Sequence, residues 1–244
     1  MRIQKYLSEQ KILSRREAEE YMKNGLIACN GEIVRDLGRQ IDPTKDVIKV
    51  LQPPHIAPEK RKITIAVYKP RGIVSSKVKS EGKTIFELLP QFAHLNTVGR
   101  LDKESEGLLL LSNDGTVTAA VTSNEHIIEK EYIVTVREKI EPWKLRKMEE
   151  GMVLEDGPTL PTKTKRIDHH TFTIILKEGR THQIRRMAAA VHLTITNLVR
   201  TRIGGSKLGS MKPGAHRVVT LKEIQALKNT TSHADTYGGV QTAG

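Results

Sequence analysis

Residues 52–61, QPPHIAPEKR, gather three prolines and little apolar content in one stretch. Proline fixes φ and removes a backbone donor, so no helix interior or central strand runs through such a segment. It reads as a semi-rigid linker. The 244 residues must then fold as a small unit before it and a larger one after it. The expected division is a module over 1–50, a linker over 51–61, a larger domain over 62–230 and a tail over 231–244. That tail is polar and glycine-rich, a composition that favours disorder.

The first 50 residues carry strong local signals. Ile3, Tyr6 and Leu7 share one helical face. Ser14-Arg15-Arg16-Glu17 has the pattern of a capping box, in which the Ser14 hydroxyl and the Glu17 carboxylate satisfy each other's backbone N–H. Ala18, Tyr21 and Met22 continue a buried face, and Gly25 supplies the left-handed residue that ends a helix. Asn30-Gly31 between two apolar runs predicts a two-residue hairpin, and residues 47–51 read as a closing strand. Arg15 and Arg16 break a local rule, because cations are disfavoured in the first turn of a helix. Two readings fit them: a pair of solvated arginines, or a phosphate site at a helix N-terminus.

Beyond the prolines, strands are expected at 63–68, 108–111, 131–136, 171–176 and 194–199. Helices are expected from Pro142 to a stop at Gly151, over 181–191, and over 221–228. Lys69-Pro70-Arg71-Gly72 and Asn113-Asp114-Gly115 read as turns closing strands. Strands outnumber helices and follow one another irregularly, which predicts an α+β fold on a largely antiparallel, mixed sheet.

Lys and Arg number 40 against 28 Asp and Glu, a formal net charge of +12. Such an excess points to a polyanionic partner, with an anionic membrane surface as the alternative. No apolar run approaches the roughly 18 residues of a membrane span, and the first residues lack the apolar stretch of a signal peptide. Cys29 stands alone, so no internal disulfide can form, which fits a reducing cytoplasm. One cysteine also excludes a zinc base deaminase, which needs at least two. His169-His170 lacks the spacing of metal ligands. Gly82-Lys83-Thr84 resembles the end of a phosphate-binding loop, but Lys77 stands where its first glycine belongs, and no G-x-G-x-x-G follows a strand. No metal and no diffusible cofactor are expected.

Three segments can carry chemistry. In Gly99-Arg100-Leu101-Asp102-Lys103-Glu104-Ser105-Glu106-Gly107, two glycines bracket a charged loop that runs into an apolar strand. Asp102, between Arg100 and Lys103, is either a solvated surface charge or an ionised carboxylate able to act as a nucleophile. In Gly179-Arg180-Thr181-His182-Gln183-Ile184-Arg185-Arg186-Met187, Ile184, Met187 and Ala188 form an apolar face, with Arg185 and Arg186 off it. These arginines are either an exposed basic patch or partners for a carboxylate or phosphate. Tyr132 shares a strand face with Val134 and Val136. It is either core, or a ring placed to stack on an extruded base.

Together these segments resemble the RsuA family of pseudouridine synthases, which modify bacterial ribosomal RNA. Gly99-Arg100-Leu101-Asp102, continuing to Asn113-Asp114-Gly115, is similar to the family's signature loop. The segment at 179–187 is similar to its later basic motif, with Lys130-Glu131-Tyr132 between the two. Residues 1–50 resemble a small RNA-binding module that also occurs in a small-subunit ribosomal protein. The family often has Thr where Ser105 stands.

The resemblance implies an isomerase that converts uridine to pseudouridine in rRNA. Large-subunit 23S rRNA or a ribosome assembly intermediate is the expected partner, and small-subunit 16S rRNA the alternative. It implies Asp102 as the nucleophilic aspartate, and Arg185 as its ion-pair partner. It implies Tyr132 as the group that stacks on the base and serves in removing the carbon 5 proton. Arg15, Arg16, Lys69, Arg71, Arg100, Arg186 and Arg200 are the candidates for RNA contacts. A cytoplasmic monomer is expected. Two other classes remain open. A non-catalytic assembly factor would use the N-terminal module alone. A glycosidase would need a second carboxylate, Glu104 or Glu106, facing Asp102 about 5–10 Å away.

Overall fold

The computed structural model describes residues 1–51, 62–123 and 128–229; the tail expected over 231–244, and the linker expected over 51–61 apart from Leu51, lie outside the described residues. The chain divides into two compact units, Met1–Arg61 and Lys62–Gly244. No helix among the described residues is long and apolar enough to cross a membrane.

In the first unit, helices α1 (Ile3–Glu9) and α2 (Arg15–Lys23) pack on a small sheet of β1 (Ile27–Cys29), β2 (Glu32–Ile33) and β3 (Ile48–Val50), ordered β2-β1-β3. Ile3, Leu7, Leu13, Ala18, Met22, Ile27 and Cys29 form its core. The expected capping box is present: Glu17 N donates to Ser14 Oγ at 3.3 Å, and Ser14 N to Glu17 Oε2 at 2.8 Å. Asn30 and Gly31 both take positive φ, 51° and 89°, as a tight hairpin turn requires. Arg15 and Arg16 are exposed on the first turn of α2.

The second unit is an α+β fold. In chain order it contains β4 (Thr64–Lys69), α3 (Ile85–Leu88), β5 (Asn96–Val98), β6 (Glu106–Ser112), α4 (Gly115–Thr122), β7 (Lys130–Val136) and α5 (Pro142–Glu149). There follow β8 (Val153–Leu154), β9 (Gly157–Pro158), β10 (Lys163–Arg166), β11 (Thr171–Leu176), α6 (Gln183–Ala190), β12 (Ile195–Ile203), β13 (Ser206–Lys207), β14 (His216–Val218) and α7 (Leu221–Lys228). The main sheet runs β10-β11-β7-β12-β6-β4-β14, with β13 added to β12 and β5 to β6. Its neighbours are antiparallel except at one seam, where β12 and β6 run parallel.

Strand β6 explains the leucine run. Leu108 and Leu110 join one core cluster with α4 and α7 side chains, while Leu109 and Leu111 join another with Ile85, Phe86 and Leu89. Both faces are covered, so the sequence is continuously apolar rather than alternating. Strand β7 alternates as expected: Tyr132, Val134 and Val136 are buried beside Phe172, Ile174, Ile184 and Met187.

Several elements lay beyond the sequence signals. Helix α4 is rich in β-branched residues, poor helix formers. Asp114 caps it, accepting from Thr116 N at 3.0 Å, and Val117, Ala120 and Val121 bury its inner face. The turn read at residues 113–115 is thus a helix start. Strand β10, Lys-Thr-Lys-Arg, has no apolar residue to mark it because it is a charged edge strand.

Candidate active site

The loop carrying Asp102 lies between β5 and β6 and is stitched down on both sides. The buried Ser75 hydroxyl accepts from Leu101 N at 3.2 Å and donates to Leu101 O at 2.8 Å. Gly72 N donates to Lys103 O at 2.8 Å, and Ser105 N to Asp102 O at 3.1 Å. Arg200 Nη1 donates to Arg100 O at 3.1 Å, and Arg185 Nη2 to Glu104 O at 2.9 Å and Ser105 Oγ at 3.3 Å. Backbone polar groups are thus satisfied along this short segment, which fixes its path. The Asp102 side chain itself stays about one-third exposed (35%).

Gly107 makes the seam behind this loop possible. It has φ +106°, and a Cβ there would lie 2.3 Å from the carbonyl oxygen of Arg200. Only glycine lets β6 and β12 approach this closely. Arg200 in turn lies directly opposite Tyr132 on β7. The loop, β12 and β7 are thereby locked in one arrangement.

These elements surround a cavity of about 990 Å³ whose walls include Asp102, Tyr132, Arg185, Arg100, His182, Lys130 and Arg200. The three residues singled out for chemistry, Asp102, Tyr132 and Arg185, are brought to one place. Tyr132 belongs both to the core cluster and to the cavity wall, so its two readings are compatible. Arg185 differs from expectation. Its guanidinium holds the backbone and Ser105 hydroxyl of the Asp102 loop, and the side chain that approaches the Asp102 carboxylate is His182, with Nε2 3.6 Å from Oδ1. His182 takes a left-handed conformation (φ 54°) at the start of α6, an uncommon state for a non-glycine residue that recurs at functional sites.

Three expected RNA contacts are corrected by burial or pairing. Lys69 is fully buried, and its Nζ donates to Pro70 O at 2.9 Å and Ile73 O at 2.7 Å. It closes the turn after β4 from inside. Arg200 is 3% exposed, bonded to the carbonyls of Leu108 and Arg100, and cannot lie along an RNA backbone outside. Arg186 is engaged by Asp156 in a two-pronged pair at 2.7 and 2.8 Å. The Arg186 hydrogen bonds hold the Asp156 carboxyl down to about 2. Arg180 adds a second tie, reaching Asp156, Gly157 and Pro158 in the β8–β9 hairpin. Arg71 is exposed and pairs with Glu104 at 3.0 Å. Arg100 is exposed at the cavity rim.

Two lysines beside the site, the buried Lys69 and the half-buried Lys130, are shifted by their surroundings. Burial, followed by the charge of Arg200, pushes both Lys69 and Lys130 down to about 8. The carboxylates on the cavity wall are Asp102 and Glu178, and Glu178 is saturated by Leu160 N, Arg180 Nε and Gln183 Nε2. Glu104 and Glu106 are not on the wall. Glu104 pairs instead with Arg71, and Glu106 accepts from Asn197 at 3.2 Å. Among the described residues, no group of three or more His, Cys, Asp or Glu converges as a metal site would require.

Sequence reasoning missed Ser75, His182 and Gly107 as parts of this site. His182 and Gly107 sat inside the motifs that were singled out, but nothing local marks Ser75, whose partner is 26 residues away.

Comparison with known proteins agrees with this geometry. Residues 63–190 match the family described as RNA pseudouridylate synthase, and residues 1–48 match the S4 domain. An uncharacterized RNA pseudouridine synthase of Aquifex aeolicus is 34% identical over 234 residues, 93% of each chain. The ribosomal small subunit pseudouridine synthase A of Pasteurella multocida is 31% identical over 92% of this chain and 98% of its own length. The ribosomal large subunit pseudouridine synthase B of Bacillus subtilis is 31% identical over 95% of this chain and 97% of its own. A crystal structure of a pseudouridylate synthase superposes with a TM-score of 0.68 at 30% identity, covering 93% of this chain and 99% of that one.

Proposed function

Because the chain belongs to the RNA pseudouridylate synthase family, we propose that it isomerises a uridine of ribosomal RNA, with Asp102 as the essential carboxylate. The observation that carries this reading is the tightly held loop that presents a partly exposed Asp102 to a cavity walled by Tyr132, His182 and Arg185. The reaction breaks the C1′–N1 glycosidic bond, turns the uracil and rejoins it through C5. A proton leaves C5 and N1 gains one, so nothing is consumed and no cofactor is called for.

The residues divide the work. Asp102 attacks the sugar or the base, or assists departure of the uracil. The Tyr132 ring, fixed by its strand and by the core behind it, stacks on the extruded base and serves in proton removal from C5. Arg185 acts through the loop it holds. The target must leave its helical stack at a cost of a few kcal/mol, offset by cationic contacts to the RNA backbone. Arg15, Arg16, Arg71 and Arg100, all exposed, are the proposed contacts, with the module over residues 1–50 capturing RNA for the domain over 62–230. One chain supplies every residue of the site, consistent with a monomer acting in the cytoplasm, where ribosomes assemble.

Large-subunit rRNA is the proposed substrate. At the same 31% identity, the large-subunit relative covers 95% of this chain, against 92% for the small-subunit one. Pseudouridine maps of both rRNAs, from cells with and without the protein, test this. A large-subunit pseudouridine lost with the protein supports it. Loss confined to the small subunit transfers the assignment there, and unchanged maps of both rule out a ribosomal RNA target.

A further inference from the structure

Arg200 combines burial, charge and an unused donor at the cavity wall. It is 3% exposed and lines the cavity. Its Nε donates to Leu108 O at 2.7 Å and its Nη1 to Arg100 O at 3.1 Å, while the buried Nη2 has no acceptor. No ion pair among the described residues includes it. An unsatisfied buried donor is unfavourable by about 1–3 kcal/mol, more when charged, and such a group in a folded protein calls for an explanation.

The backbone around Arg200 is built to hold it there. Gly107 lets β6 close onto its main chain. The β12 register against β7 shifts immediately after it, between Arg200 and Arg202, and bulges of this kind re-aim side chains beside functional sites. Two arms of a planar guanidinium are pinned to carbonyls, so the direction of the third is fixed. Its positive charge is also felt by its neighbours, since it is the second cause, after burial, of the low proton affinity of both Lys69 and Lys130.

We propose that Arg200 Nη2 donates a hydrogen bond to a carbonyl oxygen of the uracil ring held in the cavity. This inference rests on the reading of the protein as a uridine isomerase. Uracil carries two exocyclic oxygens. When the C1′–N1 bond breaks, its electron pair departs with the ring and spreads onto those oxygens. A fixed, buried cation stabilises that charge more than it stabilises the neutral ring. When C5 then bonds to C1′, the C5 proton leaves, N1 takes a proton and the ring is neutral again. A phosphate fits less well, because it needs several converging donors and Arg200 has one nitrogen left. Reaching a buried atom requires the side chains of the inner wall to shift as the base enters.

Atom replacement tests the contact. An rRNA stem-loop is prepared with the target as uridine, 2-thiouridine or 4-thiouridine, sulfur being a weak acceptor. A hydrogen bond to a charged donor predicts that one of the two thio substrates lowers wild-type kcat/KM about 10- to 100-fold. In Arg200→Lys, the same sulfur is expected to change kcat/KM by no more than about the uncertainty of such comparisons, roughly 2-fold. Losses that multiply independently for both thio substrates overturn the proposal, since a merely structural Arg200 would behave that way. If Arg200→Lys fails to fold, the wild type crystallised with a 5-fluorouridine stem-loop decides. Nη2 at about 3 Å from a ring oxygen supports the contact, and no ring oxygen in hydrogen-bond reach overturns it. A wild type that isomerises no uridine in any rRNA overturns the functional reading and this inference with it. An active wild type with uncoupled losses overturns this inference alone.

Discussion

Ser75 satisfies both backbone polar groups of Leu101, the residue before Asp102. Ser75→Ala leaves the two buried and unpaired, a loss of about 2 kcal/mol in stability. Because a displacement near 1 Å can lower a rate by about 100-fold, kcat should fall at least about 10-fold in protein that remains folded. Denaturant unfolding and single-turnover isomerisation measure the two effects separately. A rate loss no larger than the unfolded fraction explains would show that Ser75 does not hold the loop. Gly107→Ala is expected to be harsher, destabilising by about 3 kcal/mol or more through strain at a positive φ and contact with the Arg200 backbone. An unfolding midpoint equal to wild type would contradict the close β6–β12 approach. At this scale, Asp102, Tyr132 and Arg185, which line one cavity, could be singled out because each lies in a short motif. Lys69, Arg186 and Arg200 were misread as RNA-backbone contacts because a basic residue shows its charge in sequence but neither its burial nor its partner. The partner of Arg186 is 30 residues away, and those of Arg200 are 92 and 100 residues away.

At the scale of elements, β7 carries a half-buried lysine at its first position. Burial, then Arg200, pushes Lys130 from an ordinary 10.5 down to about 8. Between these values the unfolded chain binds a proton that the folded one does not, so stability rises with pH across that window. Below about pH 8 both states are protonated and the cost of burying the charge is fully present. Lys130→Met should therefore be more stable than wild type at neutral pH and gain less between about pH 8 and 10.5. Lys69 shifts in the same direction but is common to both proteins, so the comparison isolates Lys130. Parallel stability curves in denaturant would contradict its burial as a charge. Elements with a regular apolar period, β7, β11, α6 and α7, were legible in the sequence. The β6 run was legible as buried, though its two covered faces were not. Helix α4 and strand β10 were silent: tertiary burial and an Asp114 cap make a helix from β-branched residues, and an edge strand of charges has no apolar pattern.

For the whole molecule, a net charge of +12 and two compact units frame the remaining expectations. Removing residues 1–50 should leave the second unit folded, since its clusters are built from its own residues. RNA affinity should fall by about 10-fold or more at fixed salt, with a shallower salt dependence as phosphate contacts are lost. Equal affinity and equal salt slope would remove the module from RNA capture. The overall α+β class was legible because strand and helix periods alternate irregularly along the chain. The parallel seam between β12 and β6 was not, because it joins strands more than 80 residues apart through a glycine whose role appears only in three dimensions. The proposed isomerisation of uridine in this cavity runs through Asp102. Ribosomal RNA labelled with tritium at uracil C5, incubated with wild-type protein and with Asp102→Asn, tests it most directly. Tritium released to water by the wild type and not by the variant is the expected result. Equal release by both would contradict the role of Asp102, and release by neither, on either free rRNA or partly assembled particles, would contradict the activity itself.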